Sequence, residues 1–101
     1  MGGLSANLNE IQRAVSKAAE RHDVRKVYLF GSYARGEAHG EGDLDLCLET
    51  GPAFSLFSAG KFSDALQRSL GIPINIVTER SLYPFVRESM MRERMLVYER
   101  N

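Results

Sequence analysis

An α/β fold, more closely an α+β arrangement with a small mixed sheet and helices on one face, is what this sequence predicts. Three observations carry it. Leu4, Leu8, Ile11, Val15 and Ala18 recur at helical spacing ahead of the apolar run Val24 to Phe30. Asp43 to Glu49 alternates polar and apolar residues, and a second helical stripe ending at Gly71 leads into another alternating run, Ile72 to Val77. Helix, strand, loop, strand, helix, strand, helix in that order suits one helical layer packed on one sheet.

The first helix is expected to end near His22 and Asp23, with His22 meeting the last carbonyls. Val24 to Phe30 (VRKVYLF) is rich in β-branched and aromatic residues and stops at Gly31, as a strand running into a turn does. The next segment, GSYARGEAHGEG, is a glycine-rich loop in which Ser32 is placed to cap one helical turn that Gly36 could terminate. Alternation over Asp43 to Glu49 fits a strand with one buried face, where Leu44, Leu46 and Leu48 point into the core. After Gly51 and Pro52, the residues Phe57, Phe62, Leu66 and Leu70 mark the second helix. Ile72, Ile74 and Ile76 then share one face of a third strand and Asn75 with Val77 the other, while Pro73 favours an outer position. From Ser81, the residues Val86, Met90, Arg92, Glu93 and Leu96 follow a helical pattern, and a short extended piece around Met95 to Tyr98 is compatible with its end.

A chain of 101 residues with 44% hydrophobic content is expected to form one soluble domain over residues 1–101, small for an enzyme that must hold two substrates. Completion of the site by a second chain, in a homo- or hetero-oligomer, follows naturally from that size. Thirteen basic and thirteen acidic residues cancel, so no global field draws the protein onto nucleic acid or an anionic membrane. Arg87, Arg92, Arg94 and Arg100 interleave with Glu88, Glu93 and Glu99, the pattern of a solvated helix. The N-terminus lacks a signal-peptide build and no apolar run reaches membrane-spanning length, so a cytoplasmic protein is expected. One cysteine, Cys47, excludes an intrachain disulfide and a multi-cysteine zinc site, and its strand position suggests packing.

Chemistry concentrates in one constellation. Residues two apart on a strand share a face, so Asp43 and Asp45 can present oxygens together to a hard divalent cation such as Mg²⁺. Gly31 permits close approach of backbone to a ligand, and the amides after Ser32 can donate to phosphate oxygens, with the serine hydroxyl beside them. For turn and carboxylates to form one site, the end of the first strand must lie beside the start of the second. Antiparallel pairing achieves this, whereas parallel pairing separates them by roughly 15 to 20 Å. The first two strands are therefore expected to be antiparallel. Read without the glycine turn, the aspartates describe only a solvated strand face; Tyr28 and Phe30 on one strand face could flank a base but fit packing better.

Gly-Ser, ten intervening residues and Asp-Leu-Asp, with the glycine ending one strand and the aspartates opening the next, resembles the nucleotidyltransferase superfamily of the DNA polymerase beta type. Within it the chain looks like a minimal nucleotidyltransferase (MNT), from VYLFGSYARGEA through GDLDLCLE and LGIPINIVTERSL to the final LVYE. The resemblance implies phosphate contacts from Gly31 and Ser32, Mg²⁺ binding and catalysis at Asp43 and Asp45, and ATP as the nucleotide donor. Arg35 matches the family's common arginine, for contact with phosphate or pairing with a site carboxylate. One position departs. Family members with the full site carry a third carboxylate on the next strand, where this chain has Asn75. In two-metal phosphoryl transfer, with ions about 3.5–4 Å apart, that carboxylate helps bind the metal nearer the attacking group and accepts its proton. An amide cannot be the base, although its carbonyl oxygen can ligate Mg²⁺. Glu49 shares the face but lies roughly 13 Å along the strand.

By resemblance, then, the chain is an antitoxin-type nucleotidyltransferase that moves AMP from ATP onto a hydroxyl of an HEPN-domain toxin partner. The alternative is a nucleotide-binding module that neutralises its partner by complex formation, because Asn75 replaces the third carboxylate. A small-molecule nucleotidyltransferase would need an acceptor domain that is not evident in this sequence.

Overall fold

The computed structural model describes residues 8–30, 43–81, 92 and 94–100. Helix α1 spans Leu8–Arg21 and buries Ile11, Val15, Ala18 and Ala19; Glu10 in its first turn and Arg21 in its last complement the helix dipole. Leu8 is 43% exposed, so the buried stripe begins at Ile11. The predicted Leu4 lies outside the described residues. At the helix end the His22 N–H donates to the Ala19 carbonyl at 3.3 Å, and the imidazole packs edge-on against Phe62.

Strand β1, Val24–Phe30, is followed by β2, Leu44–Thr50, then helix α2, Leu56–Leu70, strand β3, Ile74–Thr78, a 3-10 turn over Glu79–Ser81, and strand β4, Met95–Glu99. The sheet order is β3-β2-β1-β4. β1 pairs antiparallel with β2 and with β4, whereas β2 and β3 run parallel, joined through α2. The sheet is thus mixed, and the antiparallel β1–β2 pair is as the sequence requires.

α2 begins and ends on local signals. The Ser55 and Ser58 side chains form a reciprocal capping box, and Gly71, at φ 70°, closes the helix with its N–H donating to the Gln67 carbonyl. Phe62 and Leu66 are fully buried, but Phe57 is 77% exposed. Five residues separate Phe57 from Phe62, about 140° around a helix, so Phe57 cannot share the stripe; the Lys61 ammonium sits 5.0 Å from its ring centre instead. Pro73 precedes β3, whose edge place matches its missing N–H, and the Pro73 carbonyl accepts from the Leu44 N–H at 2.9 Å.

The fourth strand is the short extended piece expected around Met95 to Tyr98, and it takes Leu96 out of the expected helical pattern. Met95–Glu99 (MLVYE) carries the β-branched and aromatic residues that suit a strand, and it satisfies the backbone edge of β1 that would otherwise be unpaired. The helix expected earlier in that segment, including Val86 and Met90, lies outside the described residues, as do the Ser32 and Gly36 turn.

The main core lies between the helices and one sheet face, where Val27, Leu29, Leu44, Leu46, Leu48, Ile74 and Val97 meet Ile11, Val15, Phe62 and Leu66. The opposite face is less open than expected. Tyr28, Phe30 and Cys47 form a small buried cluster there, the packing arrangement the sequence favoured for them. Among the described residues no helix is long and apolar enough to cross a membrane.

Candidate functional site

The antiparallel register sets Phe30, the last residue of β1, opposite Asp45, near the start of β2. The strand end that feeds Gly31 in the sequence therefore lies beside the carboxylates. On the other side of β2, the parallel register sets Asn75 directly opposite Asp45 and Ile74 opposite Leu44. Period-two alternation sends Leu44 into the core and Asp45 to the face away from the helices.

Asp43 precedes the first paired residue of β2 and is exposed; Asp45 is half-buried. The Asn75 Nδ2 donates to Asp43 Oδ2 at 2.9 Å and to Asp45 Oδ1 at 3.0 Å. A primary amide has two N–H groups, and here each carboxylate takes one. The two aspartates consequently converge on a single point, as the alternation of β2 predicts, and the position where the resemblance expects a third carboxylate does face them. Among the described residues no group of three or more His, Cys, Asp or Glu gathers to hold a metal.

These donors fit a hard cation. Carboxylate oxygens aimed at a shared point are the ligand type Mg²⁺ takes, and one or two protein carboxylates completed by phosphates and water is its usual protein environment. Gly31, Ser32 and Arg35 lie outside the described residues. Glu49 sits near the far end of β2, on the rim of a cavity of about 250 Å³ shared with Arg25, Thr50, Glu79 and Arg80, too distant to complete the carboxylate set.

One residue on this face escapes the sequence pattern. Arg94 belongs to no helix: it immediately precedes β4, and its guanidinium lies 4.3 Å from the centre of the Tyr28 ring. The signal was the apolar LVY that follows it, which marks the strand that carries Arg94 to the sheet.

An antiparallel pair with paired aspartates at its mouth and a parallel third strand beside it is a nucleotidyltransferase arrangement, and the chain belongs to the nucleotidyltransferase domain family, which matches residues 8–97. It is 31% identical over 87 residues to MJ0435 of Methanocaldococcus jannaschii, provisionally named a protein adenylyltransferase, covering 86% of this chain and 94% of that protein. It is 32% identical over 74 residues to the protein adenylyltransferase MntA of Thermococcus cleftensis, covering 73% and 75%. Among solved structures, a provisionally named minimal nucleotidyltransferase superposes with a TM-score of 0.73 at 35% identity, covering 89% of this chain and 95% of its own. The fold also matches, with a TM-score of 0.70 at 15% identity, a structure of a tri-AMPylated Shewanella oneidensis HEPN toxin in complex with its MNT antitoxin, over 92% of this chain and 73% of the matched one.

Proposed function

We propose that this chain is an Mg²⁺-dependent protein adenylyltransferase of the antitoxin type, which transfers AMP from ATP to a hydroxyl of an HEPN-domain partner. The observation that carries the reading is the convergence of Asp43 and Asp45 at the mouth of β2, beside the end of β1. Relatives named as protein adenylyltransferases over most of their length support the reaction, and the MNT antitoxin fold seen with an HEPN toxin supports the partner.

In this reading Gly31 and Ser32 hold the triphosphate, Arg35 adds a cation to it, and Asp43 and Asp45 hold Mg²⁺. The bound cation supplies neutralisation of phosphate charge. The acceptor oxygen attacks the α-phosphorus, its bond to that phosphorus forms as the bond to pyrophosphate breaks, and the hydroxyl proton passes to water. The amide of Asn75 cannot take that proton.

That last point favours a second reading, a module that binds nucleotide and partner but transfers slowly or not at all. Incubating the protein with its HEPN partner, Mg²⁺ and ATP labelled at the α-phosphate separates the two. Label on the partner, abolished in Asp43→Ala with Asp45→Ala, is the result expected of the enzyme. No transfer by the wild type, with activity appearing in Asn75→Asp and partner binding unchanged in both, establishes the module. If the wild type is a slow enzyme, Asn75→Asp should speed it by about 10²-fold, the low end of what a positioned general base contributes.

A further inference from the structure

Arg94 stands on the sheet face that carries the aspartates. The register pairs Tyr28 with Cys47 and Phe30 with Asp45, so Tyr28 is the diagonal neighbour of Asp45, with Cα atoms about 7–8 Å apart. Residues two apart on a strand share a face, which puts Tyr28 and Phe30 on the same side of the sheet as Asp45. The Arg94 guanidinium lies over the Tyr28 ring, 4.3 Å from its centre. The ring attracts the cation through its π electrons and offers it no oxygen acceptor. A guanidinium carries five N–H donors in a planar fork that matches phosphate oxygens two at a time. Seated on Tyr28, it is placed to meet an oxyanion that reaches across β1 from the carboxylates.

Strand order decides which part of a nucleotide that oxyanion is. β3 with Asn75 lies on one side of β2, and β1 followed by β4 lies on the other. β1 leads in sequence into Gly31 and Ser32, the residues read above as the phosphate cradle. In-line transfer sets the attacking and leaving oxygens on opposite sides of the α-phosphorus. With that phosphorus at Asp43 and Asp45 and the cradle following β1, pyrophosphate departs over β1 and the acceptor enters from the β3 side. We infer that Arg94 binds the pyrophosphate end of the donor nucleotide, with Tyr28 as the platform that aims it. As the bond from the α-phosphorus to the bridging oxygen breaks, its electron pair goes to pyrophosphate, and the Arg94 cation offsets the charge that gathers there. This role rests on the proposed assignment of Asp43 and Asp45 to nucleotide chemistry.

The test is calorimetric titration of the whole chain with ATP and with AMP, each in the presence of Mg²⁺. Arg94→Met keeps an unbranched apolar stem beside the Tyr28 ring and removes the charge. It should weaken ATP about tenfold, the scale of hydrogen bonds to a charged group, and AMP by less than about twofold. Arg94→Lys, a cation without the fork, should fall between the wild type and Arg94→Met for ATP. ATP affinity unchanged in Arg94→Met overturns the role, and so does equal weakening of ATP and AMP, which would mean a contact with the nucleoside or a purely structural part. Asp43→Ala with Asp45→Ala tests the underlying assignment separately. If that double variant loses ATP while Arg94→Met keeps it, Arg94 alone is removed from the site. If the wild type binds no ATP, or the double variant binds it as tightly as the wild type, the assignment of the carboxylates fails and the role of Arg94 falls with it.

Discussion

At the scale of single residues, Gly51 is a position with no room for a side chain. A Cβ built on the buried Gly51 would lie 2.3 Å from both carboxylate oxygens of Asp23 and 2.5 Å from its Cγ. That carboxylate is not a loose side-chain end. It accepts from the Ala53 N–H at 2.8 Å and from the Arg100 guanidinium at 3.0 Å, while the Asp23 carbonyl accepts from the Gly51 N–H at 2.8 Å. Gly51→Ala must push the carboxylate off these partners or shift the backbone. A loss of about 2 kcal/mol in chemical denaturation is expected, in the range of overpacking substitutions. The same substitution in an Asp23→Ala background should cost much less, because the obstacle is gone. Additive losses would place the strain elsewhere.

The elements were legible to the degree that their signals are local. α2 was legible through its stop at Gly71 and its apolar residues, apart from Phe57, whereas the Ser55–Ser58 capping box that starts it was not read from the sequence. Ser55→Ala removes the acceptor of the Ser58 N–H and one half of the reciprocal box. It should lower stability by about 1 kcal/mol in denaturant, with Ser55→Asp close to wild type. β4 was only partly legible. Five residues are too short for alternation to outweigh a helical reading, and its place next to β1 is a long-range pairing. The same limit hid Arg94, whose contact with Tyr28 exists only once β4 has joined the sheet. Within the candidate site, period two put Asp43 and Asp45 together and Asn75 on the matching face. The parallel register that brings Asn75 opposite Asp45 depends on the path through α2, which no local spacing encodes.

At the scale of the whole molecule, Asp23 joins three stretches distant in the chain: the turn after α1, the connection from β2 to α2 at Gly51 and Ala53, and Arg100 after β4. This junction lies by the first residue of β1, paired with the last of β2, at the opposite end of those strands from Asp45. The hydrogen bond from Ala53 first, and then that from Arg100, hold the Asp23 carboxyl below its ordinary value. A folded-state value lower than the unfolded one means that the unfolded chain binds more protons between the two, so stability rises with pH across that window. The contribution is fully present above the unfolded value of about 4. It is lost as pH falls through the lower folded value, when protonation cancels the charge and turns one of the two accepting oxygens into a hydroxyl. Asp23→Asn should therefore melt below the wild type at pH 7, by an amount that stays level down to about pH 5 and shrinks below about pH 4. Comparing the two proteins at each pH removes the other carboxylates that titrate in the same range. A difference that persists undiminished to pH 2 would mean that shape, and not charge, makes Asp23 the junction of the fold.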